Sequence, residues 1–333
     1  MRSFLLFFVF LIVVGLIASG GGAFIVRQEM LREGPNDDEV IVLLEEGSSV
    51  TSISEALAGA GALRQPMLFT AAARLKGVDS ALKAGEYRIP ARTNVWSLVD
   101  LIVEGKSILH YLTIAEGLTT KQVMLAIEND PNLVGELTLT PEEGSLLPET
   151  YAFTRGETRD RMVVEMMEAQ KKIIDAAWEE RLPELPFSTR EQAVILASIV
   201  EKETSLPSER PRIASVFVNR LRKGMRLESD PTIIYGLTGG ERLGRGLRVS
   251  EIKRETPYNT YRIKGLPPTP ISNPGRDAIL AVLNPADTDD LFFVADGTGG
   301  HAFAETLQQH NLNVAAWRRV ERERRNAAQK DGK

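Results

Sequence analysis

The sequence contains no cysteine among its 333 residues. That excludes a disulfide framework, thiolate metal sites and a cysteine-acylated lipoprotein anchor. It fits an oxidising compartment without requiring one. Histidine is also scarce. His110, His301 and His310 are too dispersed for a metal-binding motif. No phosphate loop or dinucleotide fingerprint is present, so no metal and no cofactor are expected. The formal net charge of -5 comes without a basic stripe or an RNA-binding aromatic motif. Nucleic acid is therefore not an expected partner. Repeats and extended low-complexity tracts are missing as well.

What is present is a globular composition, 43% hydrophobic and 26% charged. The length allows one large or two medium domains with real cores. Residues 4–26 are almost wholly apolar and uncharged. About 20 such residues suffice to span a bilayer as a helix. A cleaved signal peptide is the competing reading, with Ala18-Ser19-Gly20 as its small-residue site. The run is longer than a typical signal core, so an uncleaved anchor is expected. Flanking positive charges decide little, since Arg2 precedes the span and Arg27 and Arg32 follow it. A short tail before a large remainder gives residues 1–3 inside and the bulk exported. The expected location is the cytoplasmic (inner) membrane, single-pass, with the N-terminus inside.

After a charged linker at 27–36, strand and helix signals alternate. Strands are expected at 39–44 and 85–90, with helices at 50–60, 67–76 and 94–104. This is a small α+β unit. Another strand is expected at 110–114, followed by a helix through Ile127. The larger remainder is helix-rich. An amphipathic helix is expected at 158–181. Ser188-Thr-Arg-Glu191 has capping-box spacing before the next helix. Residues 208–223 form another, stopped by Gly224. Beyond it the chain reads as loop-rich and strand-poor. Asn273-Pro274 is expected to cap and open a helix, Asp230-Pro231 reads as a turn, and 291–295 as a buried strand. A last helix follows Thr306, with a densely charged tail from Arg318. The expected class is α+β throughout.

The richest stretch is Ile195-Leu-Ala-Ser-Ile-Val-Glu-Lys-Glu-Thr204, an apolar helical run ending in two carboxylates. A glutamate that continues an apolar face is costly to ionise, and that is how a general acid for glycosidic cleavage is made. Residues two apart on a helix point about 200° away from each other. Glu201 and Glu203 therefore cannot share one cleft. Glu203 continues Leu196 and Ile199, while Glu201 continues Val194 and Ala197. Both stripes are apolar, so periodicity does not choose, and a surface Glu-Lys-Glu at a helix end is an equally good reading of the spacing. Polar motifs cluster after this helix: Asn219-Arg220, Ser229-Asp-Pro-Thr232 and Tyr258-Asn-Thr-Tyr261. Aromatic rings stack on sugar faces and amides bond hydroxyl or N-acetyl groups. The tyrosines serve loop packing equally well on this basis.

These residues carry a resemblance. Ala197-Ser-Ile-Val-Glu-Lys-Glu-Thr204, Val216-Phe-Val-Asn-Arg-Leu221, Ser229-Asp-Pro-Thr232 with Tyr235, and Tyr258-Asn-Thr-Tyr261 follow one another in order. Gly265-Leu-Pro-Pro268, Asn273-Pro-Gly275, Gly300-His301-Ala-Phe303 and His310-Asn311 complete the set. The chain resembles the YceG-like family of endolytic murein transglycosylases over nearly its whole length. The resemblance implies a membrane-anchored lytic transglycosylase that cleaves the MurNAc–GlcNAc bond of nascent peptidoglycan and leaves 1,6-anhydroMurNAc ends. It places the catalytic glutamate at Glu203, with Glu201 in reserve. Glu201, Asn219, Asp230, Tyr258, Asn259 and Tyr261 are the candidates for orienting the acid or holding glycan. It also implies a LysM-like subdomain at 37–108, with Gly47 and Gly85 at its turns, and a catalytic domain at 109–333. Implied partners are glycan strands, the membrane, and synthases such as penicillin-binding proteins with the division or elongation machinery. The sequence departs from the family pattern in Glu143-Gly-Ser-Leu-Leu-Pro-Glu-Thr-Tyr151, where aromatics are missing at Ser145 and Leu147. The rival readings are a hydrolytic muramidase and a non-catalytic binder of peptidoglycan or of a synthase.

Overall fold

A computed structural model describes residues 21–22 and 24–331, with side chains through 326. The expected membrane span at 4–26 lies largely outside the described residues. Among those residues, no helix is long and apolar enough to cross a membrane. The described chain is α+β and helix-rich, as expected. It divides into two units, one comprising residues up to 111 with 131–134 and 152–157, the other the remainder.

The smaller unit is built around β1 (Val40–Leu44), α1 (Val50–Gly59), α2 (Pro66–Lys76), β2 (Gly85–Ile89) and α3 (Val95–Glu104). Strands β1 and β2 pair antiparallel, with Val42 opposite Tyr87. Alternation along β1 sends Val42 and Leu44 into the core and leaves Ile41 and Leu43 exposed. Each helix begins or ends on an identifiable device. Asn94 accepts from the Ser97 N–H at the start of α3, and Gly77 closes α2 at φ 66°. Met30, Leu57, Phe69, Tyr87 and Leu98 fill the core. Tyr87 keeps its hydroxyl satisfied by donating to the carbonyls of Lys83 and Ile102.

A second pair of strands, β3 (Leu109–Thr113) and β4 (Thr150–Thr154), forms its own two-stranded sheet. The larger unit contains α4 (Thr120–Glu128), α5 (Arg159–Glu179), α6 (Arg190–Glu203), α7 (Arg210–Arg222), α8 (Asp230–Thr238), α9 (Val249–Lys253) and α10 (Arg276–Leu283). It ends in the hairpin β5 (Phe292–Ala295) and β6 (His301–Ala304), then α11 (Leu307–Asp331).

Helix α6 is the axis of this unit. Every residue from 193 to 201 is buried. Helices α7 and α10 pack on it, and Leu196, Ile199, Phe217, Val218, Ile279 and Val282 meet in one core. A helix covered on all sides has no wet face. That is why the two carboxylates could not be sorted by periodicity.

Four expectations need correction. The capping box of α6 uses Thr189 and Gln192, one residue beyond Ser188 and Glu191. Asn273 is not the cap of α10; Gly275 is. The Asn273 Oδ1 instead accepts from the Leu146 N–H at 2.9 Å, and its amide donates to Leu118 and Thr120. The stretch after Lys223 is not merely loops, because α8 and α9 form there with Asp230 as the first residue of α8. Strands β4 and β6 also went unanticipated. Each is only four or five residues long, too short for alternation to stand out.

Candidate active site

Glu203 is the last residue of α6, and Ser229 caps the start of α8. The Ser229 hydroxyl donates to Glu203 Oε1 at 2.6 Å. Ser229 is itself held. Its N–H donates to Thr260 Oγ1 at 2.9 Å, and its carbonyl accepts from Thr232 Oγ1 at 2.7 Å. Just before it, Glu228 adopts a left-handed backbone, φ 57°. A non-glycine residue there costs roughly 1–2 kcal/mol. The conformation is supported by Arg220, which donates to the Glu228 carboxylate and to the carbonyls of Arg226 and Leu227. That turn aims Ser229 at Glu203.

Glu203 is a half-buried residue whose carboxyl group is walled by protein. Burial pushes its pKa up to about 7. Ser229, His301 and Arg220 pull it down, whereas Asp230 pushes it up. Glu203 is thus a carboxylic acid that keeps its proton near neutrality and is oriented by one short hydrogen bond. Such a group is suited to donate a proton to a leaving oxygen. Asp230 is exposed, and its Oδ1 accepts from the Tyr261 hydroxyl at 2.8 Å. The structure therefore brings Glu203, Asp230 and Tyr261 together.

Glu201 faces elsewhere and is engaged there. Its Oε1 accepts from Arg210 at 3.0 Å, and its Oε2 from the Gly275 N–H at 2.9 Å. Arg210 also reaches Glu116 at 2.5 Å and Asp277 at 3.4 Å. Burial raises the Glu201 pKa, and the Gly275 N–H and Arg210 only partly offset it. A Cβ at Gly275 would overlap the Glu116 carboxylate where it now lies, so the glycine leaves room for Glu116 beside Arg210. This arrangement pins α10 to α6.

Asn219 and Asn259 are also directed to the fold. Asn219 donates to the carbonyls of Thr288 and Asp290 and is buried. Asn259 is buried as well, and donates to the carbonyls of Glu251, Ile252 and Arg254 at the end of α9. Tyr258 packs on Tyr235 with centroids 5.1 Å apart, and its hydroxyl shares a hydrogen bond with Thr269. Tyr235 in turn donates to Glu143 at 3.1 Å. These aromatics brace α8 at the end opposite Ser229.

Sequence reasoning missed Ser229 and Thr260 as parts of the site. Ser229 lies within a quoted motif, but a serine before Asp-Pro reads as an ordinary helix cap. Of the two missing aromatics, Leu147 is buried in the core, so that departure bears on packing. Ser145 lines a groove of about 920 Å³ that also includes Val164, Met167, Val194, Ile195 and Pro270. Glu203 does not line it. Among the described residues, no cluster of three or more histidine, aspartate or glutamate side chains could hold a metal ion.

The profile of the YceG-like family matches residues 42–316. The chain belongs to that family. An endolytic murein transglycosylase of Bacillus subtilis is 28% identical over 299 residues, which cover 80% of this chain and 82% of that protein. One from Streptococcus pneumoniae is 28% identical over 320 residues, covering 82% of this chain but 57% of that longer protein. The crystal structure of a yceG-like protein from Listeria monocytogenes superposes with a TM-score of 0.51 at 29% identity. It covers 82% of this chain and 98% of its own. Membership carries lyase-type, peptidoglycan-directed activity in general.

Proposed function

We propose that this chain is a membrane-anchored endolytic lytic transglycosylase that cleaves the MurNAc–GlcNAc bond and leaves 1,6-anhydroMurNAc ends. The observation that carries this reading is Glu203, a protein-walled carboxylic acid held near neutrality by burial and oriented by Ser229.

Protonated Glu203 donates to the glycosidic oxygen as the bond to C1 breaks toward an oxocarbenium-like state. The exposed Asp230 carboxylate, fixed by Tyr261, offers negative charge toward the developing cation. The Glu203 carboxylate then takes the proton of the MurNAc C6 hydroxyl. That oxygen bonds to C1 of the same sugar, closing the 1,6-anhydro ring. One carboxyl serves as acid and then base, and no water enters the product. General acid–base help of this kind is worth roughly 10²–10⁴-fold.

Residues 4–26 would hold the site close to the membrane face where new glycan emerges, with residues 1–3 inside. The location is then the cytoplasmic membrane with the catalytic domain, 109–333, outside. Residues 37–108, with their strand–helix–helix–strand order, would be a LysM-like unit. Working beside penicillin-binding synthases and the division or elongation machinery, such an enzyme would terminate glycan polymerisation. Mass spectrometry of digested, uncrosslinked glycan tests the chemistry. Anhydro ends support it. Reducing ends would indicate a hydrolytic muramidase, and an undigested polymer a non-catalytic binder.

A further inference from the structure

A hydroxyl aims well only when its own main chain is held still, and two threonines hold that of Ser229. Thr232 lies in the first turn of α8, and Thr260 in the loop after α9. All three residues are buried. The Ser229 N–H donates to Thr260 Oγ1 at 2.9 Å, and Thr232 Oγ1 donates to the Ser229 carbonyl at 2.7 Å. The two threonine oxygens lie 2.9 Å apart. The Thr260 carbonyl also accepts from the Glu228 N–H at 3.2 Å, so the preceding residue is held by the same threonine.

Counting protons gives each bond a direction. A threonine hydroxyl has one proton to donate. That of Thr232 goes to the Ser229 carbonyl, so the bond between the threonines is donated by Thr260. The competing arrangement, with Thr260 donating to that carbonyl, spans 3.4 Å and is the poorer bond. The ring therefore runs one way: Ser229 N–H to Thr260, Thr260 to Thr232, Thr232 back to the Ser229 carbonyl. Bonds running in one sense polarise and strengthen one another, and a buried member that loses its partner finds no water to replace it.

The ring uses both main-chain groups of Ser229 and leaves the side chain out. Among the described residues, the Ser229 hydroxyl proton has one acceptor, Glu203 Oε1 at 2.6 Å. Glu203 Oε2 bonds no group among the described residues and is not sealed from solvent.

We propose that Thr260 and Thr232 are positioning residues of the catalytic site: their ring locks Ser229 as a standing donor to Glu203 Oε1 and so confines the acidic proton to Oε2, the oxygen left open for the glycosidic bond. This rests on Glu203 being the acid. The proton leaves Oε2 for the departing glycosidic oxygen, and the C6 hydroxyl later returns one to Oε2. Ser229 keeps its own proton throughout. Threonines that merely tied α8 to the following loop would affect stability and leave the acid alone.

The test is a double-mutant cycle. Thr260→Val keeps the side-chain shape, removes the middle hydroxyl of the ring and changes no charge. The ionisable groups that act on Glu203, namely Asp230, His301, Arg220 and Tyr261, are untouched. In folded Thr260→Val protein, kcat for anhydro-product formation should fall about 3–10-fold at unchanged KM, the factor one lost hydrogen bond is worth. Thr260→Ser restores the hydroxyl and should return kcat to within about twofold of wild type. Ser229→Ala keeps the ring but has no hydroxyl to aim. In that background Thr260→Val should still lower the melting temperature, yet cost kcat nothing further. Thr232→Val carries the same cycle should Thr260→Val fold poorly. Equal kcat losses in the two backgrounds, or no loss in either, would overturn the proposal. A carbon-13 NMR titration of the Glu203 carboxyl, with Glu203→Gln identifying its resonance, reads the same coupling without turnover. Thr260→Val should raise it by about 0.5 unit when Ser229 is present and leave it unmoved in Ser229→Ala. Absence of anhydro product in the wild type would count against the proposed function and leave this titration standing.

Discussion

Ser229, at the head of α8, donates its hydroxyl to Glu203, at the tail of α6, across 2.6 Å. One bond thus joins the helix that buries the acid to the helix that presents Asp230 and is braced by Tyr235. The bond stabilises the charged form of Glu203, while the surrounding protein stabilises the neutral one, and burial wins.

Removing that bond should act on orientation and on acidity at once. Ser229→Ala is expected to lower kcat for anhydro-product formation by about tenfold or more. It should also raise the alkaline limb of the pH–rate profile by about one unit, because a donor to the carboxylate is lost. An unchanged limb would mean that the hydroxyl does not act on the ionised acid.

Glu203 also makes a signed prediction about stability. Its folded pKa of about 7 lies above the ordinary 4.5, so its contribution is complete below about pH 4.5. That contribution is lost as pH rises through 7. Glu203→Gln cannot ionise and escapes the loss. Relative to wild type, the variant should gain roughly 3 kcal/mol between pH 4.5 and pH 8.5. Urea unfolding at the two pH values checks this, and an equal difference at both would contradict it.

The Glu201 network should behave as scaffold. Arg210 and Glu201 are 6% and 4% exposed, and Glu116 and Asp277 share the guanidinium. Arg210→Met leaves the buried Glu201 carboxylate without its cation and should cost about 3–5 kcal/mol in denaturant unfolding. Glu201→Gln keeps an acceptor for the Gly275 N–H. It should retain lytic activity within a few-fold of wild type while melting at lower temperature.

Much of this architecture was legible before any coordinates. The strand–helix–helix–strand start, the long helix before Pro183, and the apolar helix ending in Glu-Lys-Glu follow from local spacing and capping chemistry. The choice between Glu201 and Glu203 did not, because α6 is buried all round and carries no polar face to mark its outside. Resemblance pointed to Glu203; what the tertiary structure adds is that Glu201 is bonded to Arg210 and to the Gly275 N–H. Asn219 and Asn259 looked like sugar-binding amides, yet both are bonded to backbone carbonyls that only the tertiary fold brings near. Ser229 and Thr260 lie 31 positions apart, and no local pattern connects them.

The most direct test compares wild type, Glu203→Gln and Glu201→Gln on uncrosslinked glycan, each checked for a folded melting transition, with products resolved by mass spectrometry. Wild type and Glu201→Gln should yield chains ending in 1,6-anhydroMurNAc, while Glu203→Gln should yield none. Anhydro ends from a folded Glu203→Gln protein would contradict the assignment of Glu203 as the acid.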